Sequence, residues 1–327
     1  MADGEAGVWG QGSGALVPDP RPLIPVVVGP TASGKSALVT ALAALVDVEI
    51  ISADSRQVYR GLDIGTAKPS AAECAAVVHH GLDLVEPSER YSAGRFAREA
   101  VAWIAGIRAH GRLPVVVGGT GLYLRALFDG LFAEPPLEAG RRARLRAALE
   151  RLPAAEQTRW AQRLDEGYHG GGAQRAVRAL EVALLAGAAL SRLQRESASA
   201  PSPDRPWYVR LALPREVLRR RIAARVEAML DAGFVDEVRH VLARGVAPDA
   251  PGLSGVGYAE VVRYLRGHLA GDALAAAITT STARYAKRQE TWFRRQLAGP
   301  VMVLDASADA ATLAKAVLGG YRATGTK

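Results

Sequence analysis

Cysteine is almost missing: Cys74 is the single one among 327 residues. One thiol excludes a disulfide framework and any cysteine-based zinc site, and a cytoplasmic protein is the simplest account. Long apolar runs are missing as well. No stretch approaches the ~20 residues that span a bilayer, so no membrane partner is expected. The N-terminal text MADGEAGVWGQGSGALVPDPRP has neither a basic start nor an apolar core, so it is not a secretory signal. Its Gly and Pro content reads as a disordered lead-in over residues 1–22. A third absence is a carboxylate. The strand-like run Val115–Val117 ends in Gly118-Gly119-Thr120, where a nucleotide hydrolase carries an acid that holds the metal and helps position water.

Apolar residues make up 49 % of the chain, enough for a sizeable core. The length suits one large α/β domain plus a smaller one. The formal net charge of +8 is unevenly spread. From Ile24 to Gly140 there are 10 Lys/Arg against 12 Asp/Glu; from Arg141 to Arg225 there are 18 against 8. Such a concentration of arginine suits a polyanion partner. It also suits ordinary helices with solvated basic faces, because charge patterning alone does not separate the two.

The stretch PVVVGPTASGKSALV carries the strongest local signal. Ile24–Val28 reads as a buried strand, Gly29–Ser36 as a loop, and Ala37–Leu45 as the helix that the loop opens. Gly29, Gly34, Lys35 and Ser36 fit the phosphate-loop pattern G-x-x-x-x-G-K-[ST]. Glycines let successive N–H groups curl inward around an anion, and the helix N-terminus adds partial positive charge. Residues Gly29, Pro30, Thr31, Ala32, Ser33, Gly34, Lys35 and Ser36 are therefore the candidate diphosphate or nucleotide cradle, with the Ser36 hydroxyl as a candidate ligand for Mg²⁺. Such a loop recognises a polyphosphate, not a particular base.

Val48–Ile51 reads as a second strand, Ala93–His110 as a helix capped by Ser92, and Leu113–Val117 as a third strand. This alternation predicts an α/β fold, a P-loop NTPase-like parallel sheet flanked by helices. Ligands gather at the carboxyl ends of such strands, which predicts one site from Gly29–Ser36, Ser52–Ser55 and Gly118–Gly121. Asp54 is the acid placed nearest the phosphates, as a metal-binding acid or a general base. After Glu134-Pro135-Pro136 the pattern turns helical up to a linker, ESASAPSPDRP. Residues 135–202 are read as an all-helical insertion domain, and 23–134 with 203–320 as the core. Trp207–Leu213 reads as a strand, Pro214–Asp231 as a helix, Ser281–Leu297 as another, and Val301–Leu304 as a last strand. On Pro214–Asp231, Leu218, Ile222, Val226 and Met229 make the apolar stripe, and Arg219, Arg220, Arg221 and Arg225 lie mostly off it.

The blocks GPTASGKSALV, EIISADSRQVYRGLDIGTAKP, HHGLDLVEPSERYSAGRFAREA, LPVVVGGTGLYLRAL, RAVRALEV, RVEAMLDAGFVDEVR, GVGYAE and AKRQETWFRR occur in this order between Val26 and Arg295. In that order they resemble the tRNA dimethylallyltransferase (tRNA isopentenyltransferase) family, in its bacterial form. The resemblance implies transfer of a dimethylallyl group from dimethylallyl diphosphate to the N6 amine of the adenosine at tRNA position 37. It implies that the insertion grips the anticodon stem-loop. It gives Asp54 the role of general base, has Thr120 hydrogen-bonding the amine, and points Arg225 at the diphosphate. It marks Asp54, Ser55, Arg56, Gln57, Gln174, Arg175, Ala176, Val177 and Arg178, with Ser254–Ala259, as segments that contact tRNA. A monomer with no obligate protein partner is expected.

One departure stands out: the family's Asn-Asp pair after His169 is replaced by glycines, Gly170–Gly172. Two other functions fit the loop: an isopentenyltransferase acting on free AMP or ADP, which has little use for so basic a middle segment, and a small-molecule kinase. A non-catalytic RNA-binding module fits less well, because Lys35, Ser36 and Asp54 form a coherent reaction site.

Overall fold

The computed structural model describes residues 21–131, 137–196 and 202–325. Residues 1–20 of the lead-in lie outside the described residues, as do Glu134-Pro135-Pro136 and residues 197–201 of the linker. Six strands form one parallel sheet: β1 (Leu23–Val28), β2 (Val48–Ser52), β3 (His79–His80), β4 (Leu113–Gly118), β5 (Arg205–Ala212) and β6 (Val301–Asp305), in the order β3-β2-β4-β1-β5-β6. In the core the helices are α1 (Lys35–Ala43), α2 (Ala71–Ala76), α3 (Ala93–Ala109) and α4 (Gly121–Phe128). Then come α5 (Ala139–Glu150), α6 (Ala154–Leu164), α7 (Ala173–Ala186) and α8 (Leu190–Glu196). The chain returns through α9 (Arg215–Asp231), α10 (Phe234–Ala243), α11 (Tyr258–Leu265), α12 (Gly271–Arg295) and α13 (Ala310–Gly325).

The two innermost strands, β1 and β4, are apolar throughout because both sheet faces are covered. Val26, Val28, Val116 and Tyr208 pack with Phe96 and Ile104 of α3 and with Ile222 and Val226 of α9. The alternate residues Val27, Val115, Val117 and Val209 pack against Leu38 and Leu42 of α1 and Val317 of α13. Ser92 caps α3 by accepting the Arg95 N–H at 3.1 Å. The α12 helix begins at Gly271, ten residues ahead of the sequence-based start at Ser281. Its first turns carry only Leu274 and Ile278 as buried anchors in an Ala/Thr-rich stretch, so their periodicity is thin.

Helices α5–α8 have a small core of their own, with Leu149, Ala161, Ala176, Val177, Ala179 and Leu180. Gly170, Gly171 and Gly172 lead into α7 with φ of 92°, 128° and 87°. A side chain would strain all three positions, and α7 starts with no side-chain cap. The chain thus enters α7 through three positive-φ glycines rather than through a side-chain cap.

Candidate active site

The carboxyl ends of β1, β2 and β4 converge. The Ala53 N–H donates to Val117 O at 2.7 Å, and the Thr120 N–H donates to Ala53 O at 3.2 Å. This closeness explains the missing acid at the end of β4: a Cβ on Gly118 would stand 2.2 Å from Ala53 O, so no side chain fits there.

The loop after β1 is held in a curled shape. Ala32 (φ 61°) and Gly34 (φ 93°) are left-handed, a strained state for alanine that recurs at ligand clamps. The Lys35 ammonium donates to Gly29 O (2.9 Å) and Pro30 O (2.8 Å). Burial brings its pKa down to about 8, opposed by the Asp54 carboxylate and reinforced by Arg225. Ser33 Oγ is buried inside the loop with no hydrogen-bond partner. A cavity of about 410 Å³ opens over this loop, and Lys35, Arg221, Arg225, Asp54, Gln57, Tyr285 and Gln289 stand among its walls.

A second cavity, of about 300 Å³, adjoins the first and shares Thr31, Asp54, Thr66, Arg225 and Tyr285 with it. One wall is apolar, made by Ile222, Val226, Met229, Phe234 and Ile278; the rest includes Arg56, Gly65, Ser254–Gly257, Tyr258, Thr282 and Arg288. Asp54 lines both cavities and a third, smaller one behind Ser36. Its Oδ1 accepts the Arg56 N–H at 2.8 Å, which pins the turn and leaves Oδ2 for other chemistry. Burial lowers the basicity of the Arg225 guanidinium, and Asp54 acts against that.

Each sequence-selected residue has a definite place. Thr120 Oγ1 accepts the Ser55 N–H at 3.0 Å and donates to Ser55 Oγ at 3.3 Å. Gln57 turns toward the phosphate cavity: its Oε1 accepts from Ser52 Oγ at 2.7 Å, and its Nε2 donates to Ala67 O at 3.2 Å. Arg56 donates to Pro251 O (2.8 Å) and Ser254 Oγ (3.3 Å), tying two candidate RNA-contact segments together. On α7, Gln174 and Arg175 are exposed, Arg178 is half-buried, and Ala176 and Val177 are buried in the helical core. Buried Glu181 takes a bidentate pair from Arg146 at 2.5 and 2.9 Å.

Sequence reasoning missed Arg221, Tyr285 and Gln289. Gln289 is buried; its Oε1 accepts the Thr31 N–H and its Nε2 donates to Gly119 O, both at 2.9 Å. It thus ties the phosphate loop to the end of β4. Burial and Asp54 push Tyr285 up to about 12, so its hydroxyl stays protonated. Thr282, Tyr285 and Gln289 share one face of α12. That spacing was available in the sequence, but the arginine repeat Arg284, Arg288, Arg295 masks it, and of those three only Arg288 lines the site.

No cluster of three or more His, Cys, Asp or Glu side chains able to hold a metal exists among the described residues. None of their helices is long and apolar enough to cross a membrane.

Residues 57–296 match the family model described as IPP transferase, a match that begins beyond β2 and leaves out the phosphate loop. The chain is 43% identical over 286 residues to tRNA dimethylallyltransferase 1 of Syntrophotalea carbinolica, covering 85% of this chain and 90% of that protein. It is 47% identical over 281 residues to tRNA dimethylallyltransferase of Anaeromyxobacter dehalogenans, covering 83% and 90%. The crystal structure of the full-length tRNA isopentenylpyrophosphate transferase from Bacillus halodurans aligns with a TM-score of 0.68 at 32% identity, covering 93% of this chain and 97% of that one. A eukaryotic dimethylallyltransferase acting on tRNA aligns with a TM-score of 0.77 at 26% identity, covering 93% and 80%.

Proposed function

The chain belongs to the IPP transferase family, and on that premise we propose how its own residues carry out tRNA prenylation. It transfers the dimethylallyl group of dimethylallyl diphosphate to the N6 amine of the adenosine at tRNA position 37, next to the anticodon, and releases diphosphate. The observation that carries this reading is the position of Asp54, at the junction of a cation-walled cavity and a half-apolar one.

The diphosphate takes the loop Gly29–Ser36. Backbone N–H groups, the start of α1, Lys35, Arg221 and Arg225 offset its charge. The allylic carbon then lies at the junction, with the prenyl chain against Ile222, Val226 and Met229. The adenine enters past Arg56, Ser254–Gly257 and Arg288. A base in a stacked loop costs a few kcal/mol to extrude, less than in a duplex.

An adenine amine is a weak nucleophile because its lone pair is delocalised into the ring. The N6–C bond forms as the C–O bond to diphosphate breaks, and the N6 proton passes to Asp54. Thr120, already accepting from Ser55, keeps a second lone pair to orient the amine. Lys35, Arg221 and Arg225 stabilise the charge that develops on the departing oxygen.

Mg²⁺ fits this donor set: it is commonly held by one or two protein oxygens together with substrate phosphates and water, and Ser36 supplies such an oxygen. Bound there, it would neutralise charge on the diphosphate. Gln174, Arg175 and Arg178 are the side chains of α7 that reach the surface for the anticodon stem; Ala176 and Val177 hold the helix that presents them.

A kinase reading meets the end of β4, where Gly118 leaves no room for an acid. Dimethylallyl diphosphate and bulk tRNA, followed by nucleoside mass analysis, test the function: N6-dimethylallyladenosine is expected, and prenylation of free AMP or ADP in preference to tRNA contradicts it. Asp54→Ala should keep tRNA affinity and lose about 10²–10⁴-fold in turnover; near-normal turnover removes Asp54 from the mechanism.

A further inference from the structure

Resting on that placement of the prenyl chain, we infer that Met229 sets the length of chain the enzyme accepts and holds it to one isoprene unit. Arg225 stands at the junction of the two cavities, and the same helix carries Val226 and Met229 onward along the apolar wall. Met229 lies about one turn beyond Arg225, a rise of ~5.4–6 Å. That reach suits a five-carbon chain whose first carbon sits at the junction. A ten-carbon chain would have to pass Met229.

The other members of the apolar wall, Ile222, Val226, Phe234 and Ile278, are fixed. Phe234 and Tyr258 are each 1 % exposed, and their rings meet edge to face at 4.9 Å. They close over Gly65, where a Cβ would stand 2.1 Å from the Phe234 ring and 2.6 Å from Tyr258. The Tyr258 hydroxyl donates to Glu237 at 2.6 Å, and the same carboxylate accepts the N–H groups of Asp63 (2.7 Å), Ile64 (2.6 Å) and Gly65 (3.2 Å). Ile222, Val226 and Ile278 are no more than 2 % exposed. Met229 differs from all of these: it is only half-buried, and its unbranched thioether is the adaptable member of the wall. Shortening it opens the cavity outward rather than hollowing the core. The volume agrees, because about 300 Å³ is the lower end of ligand clefts, and this cleft must also receive the base.

The test compares kcat/KM for dimethylallyl and geranyl diphosphate with the same tRNA, in the wild type, Met229→Ala and the volume-conserving Met229→Leu. Each extra methylene in a fixed pocket is worth roughly 10–200-fold. The wild type should therefore favour the five-carbon donor by at least ~100-fold. Met229→Ala should raise the geranyl-to-dimethylallyl ratio at least tenfold, and Met229→Leu should leave it near the wild-type value. A ratio unmoved by Met229→Ala, or a wild type that uses both donors equally, overturns the inference. A wild type that transfers neither group to tRNA strikes instead at the function on which the inference rests.

Discussion

Lys35 is the residue whose state most affects donor binding. Its ammonium is buried against backbone carbonyls, and its pKa falls to about 8 in the free protein. A bound diphosphate favours the charged form and raises that pKa again. Below pH 8 the cation is already present, so affinity is flat; above it, binding must take up a proton. The Kd of dimethylallyl diphosphate, whose own last proton is gone by about pH 7, should therefore rise up to about tenfold per pH unit above pH 8. Calorimetric titration between pH 7 and pH 9.5 reads this directly. A flat profile, or one unchanged in Lys35→Arg, would take Lys35 out of the donor site. This residue was legible in the sequence because phosphate loops are built from contiguous residues with fixed spacing, and Asp54 because it follows a strand-like run. Buried Glu49 was not: its carboxylate pairs with His80 (2.7 Å) and Arg112 (2.9 Å), partners far along the chain.

Among the elements, α12 carries the least expected share of the site. Its Gln289 joins two loops that lie 258 and 170 residues away in the sequence, and no local pattern announces such a bond. Gln289→Ala leaves the Thr31 N–H and the Gly119 carbonyl without that partner, at a cost of about 1–3 kcal/mol where they are buried. The expected result is a raised KM for the prenyl diphosphate with tRNA affinity unchanged, read from initial rates at varied donor and from a filter-binding curve for tRNA. An unchanged donor KM would make Gln289 a bystander. Elements with short or thin patterns escaped the sequence reading for the same physical reason. The two-residue β3 is defined only by its pairing with β2. Helix α13, beyond the last predicted strand, is fixed by packing on α1 rather than by any motif.

At the scale of the whole molecule, the basic excess proves to be divided. Part lies in α5–α8, where Glu181 neutralises some of it, and part lies in α9, where Arg221 and Arg225 turn inward to the phosphate cavity. On the function proposed above, the insertion's charge would serve RNA and α9 the diphosphate. Affinity for tRNA should fall steeply with salt, and Arg175→Ala should lower the slope of log Kd against log salt by about 1 without altering donor KM. A slope unchanged in that variant would separate α7 from the RNA. The parallel sheet, its flanking helices and the meeting of β1, β2 and β4 followed from the strand–helix alternation, whereas the strand order came only from the structure. The depth of the second cavity did not, since it depends on how Phe234 and Tyr258 close over Gly65.

The central claim is that one carboxylate faces both a loop-bound diphosphate and an extruded adenine. A crystal structure with a non-hydrolysable dimethylallyl thiolodiphosphate and an anticodon stem-loop measures it most directly. The account predicts both phosphorus atoms within the Gly29–Ser36 loop, with N6 of the target adenine in hydrogen-bonding range of Asp54. Phosphates seated elsewhere, or an amine facing away from Asp54, would contradict it.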